Sequence, residues 1–417
     1  MCGGIITKNQ EVKSMVLILF LFLQISPAGR FFTTLQDSAT KQGIFISPGI
    51  ERDTTTWFFV YYGGKFRMPN NFLIDIRVLF KHGNDSTYPF YNWHEIGEMD
   101  YTRALLCYQT KSFTLSWGLD SPTLSGGYFT KLFFDGFEPE FPQVQFSYRK
   151  KSLSFFYLIG QMEEVKSNPY KPTGDTKYFA YHEIKFNWRN LDFKFGEGVL
   201  FKNFNSSQPD WYLFTPLSIW YPRQANNGRA DINIGWLFGL KFSATPTLTL
   251  YGELFVDDAP YKREADENPR IGGIIGFDRN GRTWRFITEG AFVTRYTYSY
   301  YPDRLELSWF YNSYPLGPIT GTDFIKISSF VMKRGEIGAF GYIETLLQGE
   351  GRMGEPFCVG NLSRKVLLSG SVKKVFRLEA GLSSKIRSVN MLIRTGLLAG
   401  DERDFLAGIN LNFGLFQ

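Results

Sequence analysis

The chain has 417 residues, of which 43% are apolar and 18% aromatic, with 42 Phe among them. Its formal net charge of +6 is spread along the length, and no basic helix or nucleic-acid motif gathers it, so nucleic acid is set aside as a partner. No internal stretch is apolar enough to cross a bilayer as a helix, whereas many aromatics, 41 Gly and modest charge suit a membrane β-barrel.

Lys8 and Lys13 precede the apolar run Met15–Leu23, and Ser26-Pro-Ala28 offers small residues for cleavage. A positive region, a short apolar core and an exit site predict a signal peptide over residues 1–28, with translation starting at Met1 or Met15. Cys107 and Cys358 then remain; pairing in an oxidising periplasm and service as small apolar residues both stay open. His82, His94 and His182 have no metal-ligand spacing, so neither metal nor cofactor is expected.

Residues 30–56 are poorly patterned and read as a first strand or as a periplasmic or plug segment of a barrel running from 29 to 417. From Thr56 onward, strand follows strand. Phe113, Leu115 and Trp117 alternate with Thr114, Ser116 and Gly118; Val144, Phe146 and Tyr148 alternate with Gln145, Ser147 and Arg149. Ile184, Phe186 and Trp188 oppose Glu183, Lys185 and Asn187. The clearest hairpin runs from Asp231 to Asp258. Ile232, Ile234, Trp236, Phe238, Leu240 and Phe242 form one face, with Asp231, Asn233, Gly235 and Lys241 on the other; after Ser243–Pro246 the alternation resumes. Further strands are predicted at 282–293, 323–331, 336–347, 378–383, 389–398 and 405–416. The stretches 295–323 and 362–388 resist assignment without breaking parity.

Connections come in two sizes. Ser243–Pro246, Asp278–Gly281 and Lys333–Gly335 are short; Lys81–Glu98, Glu163–Thr176, Asn203–Asp210, Ala259–Arg270 and Gln348–Ser363 are long. Short periplasmic turns and long extracellular loops characterise outer-membrane barrels, and the mature length fits about 16–18 strands. The expected fold is therefore an all-β transmembrane antiparallel barrel in the outer membrane of a Gram-negative-type envelope, with membrane lipid around it. Gly408–Gln417 alternates and closes on aromatics, resembling the terminal signal read by barrel-assembly machinery.

Several segments together resemble the capsule assembly family typified by Wzi: Ser121–Phe141 with its ending Phe133–Pro142, Tyr178–Phe186 with its Tyr-His-Glu, Phe195–Gly198, Thr215–Tyr221, Tyr251–Asp258 and Pro315–Asp323. The resemblance runs from near Tyr101 to the C-terminus. It implies a barrel of about 18 strands that holds or organises surface polysaccharide in the manner of a lectin, without catalysis. A porin for passive or solute-selective diffusion would use the same lipid-facing pattern and is the alternative. A lipid-acting barrel enzyme lacks any motif placing a Ser/His/Asp set.

Glu253, Asp257 and Asp258 form the densest acidic group on a strand. A cation or sugar-hydroxyl site and an ordinary polar lumen face both fit them. Glu197 shares parity with lipid-facing Phe193 and Phe195; a bulge or strand exit at Gly196 and Gly198 would keep its charge out of the bilayer. Trp211, Trp220, Tyr221 and Arg223 cluster around one long connection, and Arg295 stands beside Tyr296, Tyr298, Tyr300 and Tyr301. Aromatic rings stack on sugar C–H faces and arginine forks grip uronic-acid carboxylates; an interfacial aromatic belt is the competing reading. The candidate polysaccharide contacts are thus Trp211, Trp220, Tyr221, Arg223, Asp257, Asp258, Arg295 and Tyr298.

Overall fold

The computed structural model describes residues 44–134 and 140–415, apart from short connecting stretches and the segments 165–175, 203–214, 223–231, 259–268, 301–306 and 356–365. The signal-like residues 1–28 lie outside the described residues. The strands are β1 (Ile44–Arg52), β2 (Thr56–Arg67), β3 (Phe72–His82), β4 (Tyr91–Trp93), β5 (Gly97–Gln109), β6 (Phe113–Asp120) and β7 (Phe141–Lys150). Next come β8 (Leu153–Glu164), β9 (Thr176–Trp188), β10 (Leu191–Lys202), β11 (Ile232–Thr245), β12 (Leu248–Asp258), β13 (Arg270–Asn280) and β14 (Trp284–Val293). The minor pair β15 (Phe310–Tyr311) and β16 (Tyr314–Pro315) precedes β17 (Phe324–Lys333), β18 (Ile337–Gln348), β19 (Lys373–Ile386), β20 (Val389–Gly400) and β21 (Asp404–Leu415).

Nineteen strands form one sheet, and each long strand pairs antiparallel with its neighbours in the chain. The last strand pairs back to the first, Ile44 opposite Leu415 and Ile46 opposite Phe413, which closes the sheet into a barrel. The three-residue β4 hangs on β5 outside this circuit, so 18 of the 19 strands make the wall. Closure is what a hydrocarbon surround demands of a sheet, since an open edge would leave backbone groups unpaired in lipid. Of the two readings for residues 30–56, Ile44–Arg52 takes the strand.

One end of the barrel carries tight turns, among them Asn70-Asn71, both with φ near +60°, which suits the mirror-image turn of a two-residue hairpin. The other end carries the long connections, up to the 30 residues from Thr294 to Asp323. Ser243–Pro246 and Asp278–Gly281 lie at the tight-turn end and Ala259–Arg270 at the far end, as the loop sizes require. Tight turns mark the periplasmic side and long connections the outside.

The predicted parity holds for the outer face. Leu240 is 50% exposed, Trp117 65% and Ile275 74%, apolar side chains that only lipid suits. The inner face differs from a simple polar lumen. Toward the outer end it is apolar: Phe179, Tyr181, Leu200, Leu237 and Phe255 are fully buried there. Asn233 also faces inward, but its amide is buried and donates to Leu307 O at 2.9 Å, so it is a packed position and not a wetted one.

Lysine at Phe238 or Leu240 is expected to block assembly, because a cation facing lipid near the midplane costs about 2–4 kcal/mol. Lysine at Thr249, which faces the lumen one turn from the periplasmic end, is expected to be tolerated. Heat-modifiable gel mobility reports the folded fraction; equal behaviour of the two faces would overturn the assignment.

Candidate functional site: a filled lumen

Two of the long connections turn inward. The first, leaving β6, descends through Ser121–Phe134 and is met by carboxylates from three neighbouring strands. Glu253 of β12 accepts from Gly126 N at 2.7 Å, from the Ser125 hydroxyl and from Lys194 Nζ at 2.5 Å. Glu289 of β14 accepts from three successive amides, Tyr128 N at 2.6 Å, Phe129 N at 3.1 Å and Thr130 N at 2.7 Å, and from Tyr251 OH at 2.9 Å. Asp278 of β13 takes the Tyr128 hydroxyl at 2.8 Å and the Arg285 fork at 2.6 and 3.0 Å. Burial, then the Asp278 charge, push the Tyr128 hydroxyl up to about 12, so it stays protonated and donates. A buried carboxylate left without donors would be expensive; here the plug's own backbone supplies them.

The second insertion, Thr294–Asp323, packs on the first. Phe134 N donates to Leu316 O, Leu316 N to Trp309 O and Trp309 N to Tyr298 O, each at 3.0 Å, so one ladder crosses both insertions. Asp257 of β12 fixes it to the wall by accepting from Tyr298 N at 2.8 Å and Trp309 Nε1 at 2.6 Å. Phe133, Phe255 and Tyr298 stack in turn, with centroids 5.0 and 4.9 Å apart, and Trp309 stands edge-on to Phe133. Burial, then Asp257 and Glu253, hold the Tyr298 hydroxyl well above its ordinary range, and it donates to Leu132 O at 2.6 Å. The room for these rings comes from the wall. A Cβ on Gly198 would stand 2.9 Å from the Phe133 ring, and one on Gly235 would stand 2.8 Å from Phe255.

At the outer end, Asp323 latches the next connection. It is fully buried and accepts from Gly351 N at 3.0 Å and from Ser369 through its amide and hydroxyl. Arg295 spans the same region, forking onto Glu355 at 2.6 and 3.2 Å and donating to Ser369 Oγ at 3.1 Å. The Glu355 carboxylate holds the guanidinium above its usual range. Phe134, Tyr298 and Asp323 all have positive φ, at 45°, 72° and 60°. Each such residue costs on the order of 1–3 kcal/mol, which the packing and hydrogen bonds around it must offset.

A third connection turns outward. Thr215–Pro222, between β10 and β11, lies against the lipid-facing wall. Trp220 is fully buried there, over Tyr157, Ala180, Val199, Ile232 and Ile234, with its ring 4.4 Å from that of His182. Glu197 holds this strap, accepting from Trp220 N at 2.9 Å, Tyr221 N at 3.1 Å and Trp236 Nε1 at 3.1 Å, with His182 Nε2 at 3.4 Å. The bulge expected at Gly196 and Gly198 is absent: β9, β10 and β11 run in unbroken register. Glu197 does face outward; the strap shields it, and the two glycines face inward to admit Tyr181 and Phe133.

No protein-family model matches the chain, and no curated protein does. Among solved structures it is similar to Wzi, an Escherichia coli outer-membrane protein involved in group 1 capsule assembly and described as a carbohydrate-binding β-barrel. That likeness covers 94% of this chain and 90% of Wzi at 12% identity, with a TM-score of 0.62. This chain is an outer-membrane β-barrel with the fold of Wzi. OpdK of Pseudomonas aeruginosa (11% identity, 89% and 97% of the two chains) and OccAB4 of Acinetobacter baumannii (10%, 89% and 95%) follow with TM-scores of 0.49 and 0.46, too low to be informative.

On this Wzi-like frame the eight predicted contacts part company. Trp211 and Arg223 lie outside the described residues, as does the side chain of Asp258 at the outer end of β12. Tyr221 is 37% exposed on the strap. Trp220, Asp257 and Tyr298 are shut in: the first closes the strap and the other two bind the plug, leaving none a face for a sugar. Arg295 has its fork taken by Glu355. Sequence reasoning missed Glu289, Asp278, Lys194 and Trp309, whose partners lie far off in the chain.

Glu289→Ala strands three plug amides, at about 1–3 kcal/mol for each buried unpaired donor. The variant barrel is expected to assemble but to unfold at a lower temperature in the heat-modifiability assay. Glu197→Ala should open Thr215–Pro222 to protease on intact cells while leaving that temperature nearer wild type. Identical responses of the two variants would contradict separate roles for plug and strap.

Proposed function

We propose that this barrel binds and organises surface polysaccharide at its outer mouth, without catalysis. The observation that carries the reading is the lumen, where two insertions form a single apolar core with the wall. A diffusion pore needs a wetted channel along its axis. Here Phe133, Tyr298 and Trp309 of the insertions pack against Phe179 and Phe255 of the inner wall in one buried cluster, and carboxylates that would line a channel are bound to the plug. The Wzi fold supports the same reading, since the E. coli protein is described as carbohydrate-binding.

The contact set is drawn from the long connections. On this reading Trp211, Arg223 and Asp258 are the ring and the charges that would meet the sugar, with Tyr221 of the strap as a further ring, while Trp220, Asp257, Tyr298 and Arg295 hold the connections in place. Outer-membrane lipid surrounds the wall, and assembly machinery inserts it. Removing Trp211 and Arg223 together is expected to reduce cell-bound polysaccharide several-fold, at about 0.5–1.5 kcal/mol for a lost aromatic contact and more for a charge-assisted one. The measurement is cell-associated against shed polysaccharide at equal amounts of folded barrel. Unchanged retention, with small-solute uptake falling when the barrel is deleted, would favour the porin instead.

A further inference from the structure

Below the plug, on the side of β5 to β9, the lumen opens into a cavity of about 540 Å³. That lies within the roughly 300–1,000 Å³ of ordinary small-ligand pockets. The plug residues Ser121–Leu124 roof it, and the tight turn Thr110–Ser112 stands at its lip, so it faces the periplasm. It is therefore separate from the outer mouth, with the plug core between them.

The lining has a definite chemistry. Gln145, Ser147 and Ser154 project inward from β7 and β8 and offer amide and hydroxyl groups. Phe156, only partly buried, presents a ring beside them. Two cations on the wall are matched by anions: Arg103 forks onto Asp120 at 2.7 and 2.9 Å, and Lys185 meets Glu183 at 2.7 Å. Two others, Lys111 and Arg149, have no ion pair among the described residues. They are brought together by the backbone, where Arg149 N donates to Ser112 O at 2.7 Å. The cavity thus combines hydroxyl and amide groups, one ring face and two uncompensated positive charges at its lip.

We propose that this vestibule is a second binding site, open to the periplasm, for a carboxylate-bearing oligosaccharide segment. Lys111 and Arg149 hold the carboxylates, the polar wall meets the hydroxyls, and Phe156 backs a sugar face. The assignment stands on these side chains and not on the outer-mouth reading.

The test uses the full barrel, purified in detergent, with trigalacturonic acid as probe and maltotriose as its neutral counterpart, followed by titration calorimetry. Trigalacturonic acid is expected to bind at least about tenfold more tightly than maltotriose, and Lys111→Ala/Arg149→Ala to lose at least about tenfold, the equivalent of one charge-assisted hydrogen bond. Heat-modifiable mobility confirms that the variant is folded. Equal binding of the two sugars, full displacement by sulfate at matched ionic strength, or unchanged affinity in the double variant would each overturn the proposal. Cell-bound polysaccharide, measured on the same variant, separates the two sites. Lost probe binding with retained surface polysaccharide supports a vestibule independent of the outer mouth, and its loss at both would overturn that independence.

Discussion

Carboxylates facing the inside of a barrel must find donors, and in this chain the donors are on the chain itself. Glu253, Glu289 and Asp257 face inward and are buried, and each is satisfied by backbone amides or side chains of an inserted connection. Remove the insertions and those carboxylates lose the donors that stand in for water around them; remove the charges and the insertions have buried amides without acceptors. Wall and plug are therefore one folding unit. The apolar core that the wall lacks on its own is completed by Phe133, Trp309 and Leu316 coming in from the loops.

The same logic runs in reverse on the outside. Glu197 faces lipid, where an ionised carboxylate is costly. The connection after β10 folds back over it and supplies two amides, while the neighbouring strands add the Trp236 indole and the His182 imidazole. The strap's own outer side chains, Leu217 and Ile219, are exposed and apolar, so the lipid meets a greasy surface again one layer further out. One barrel thus solves the same problem twice, inward with a plug and outward with a strap, by spending loop backbone on buried charge.

Period-two alternation made the wall legible, because one face of every strand must suit lipid. Leu240 and Phe242 are exposed, as that parity requires, and Glu253 and Asp257 face inward. The two classes of connection gave the orientation. What alternation does not encode is which long connection turns in, since the plug has no period of its own; the stretch 295–323, which fits no strand, is the second insertion. A signal was present all the same. The outer halves of β9 to β12 carry Phe179, Tyr181, Leu200, Leu237 and Phe255 on the inward face as well as apolar residues on the outward one. A strand apolar on both faces is buried on both. The parity of Glu197 was read correctly, but a bulge is a local remedy, and the actual remedy comes from residues more than twenty positions away. Trp220 and Tyr298 looked like ligand-stacking rings because composition cannot tell a ring that awaits a sugar from one already covered by its own chain.

The filled lumen is tested most directly by single-channel recording of the purified full-length barrel in a planar lipid bilayer. The account predicts no steady open-channel steps from the wild-type protein, because the two insertions and the wall share one core. Steady, uniform conductance steps of porin size from wild-type protein would contradict it.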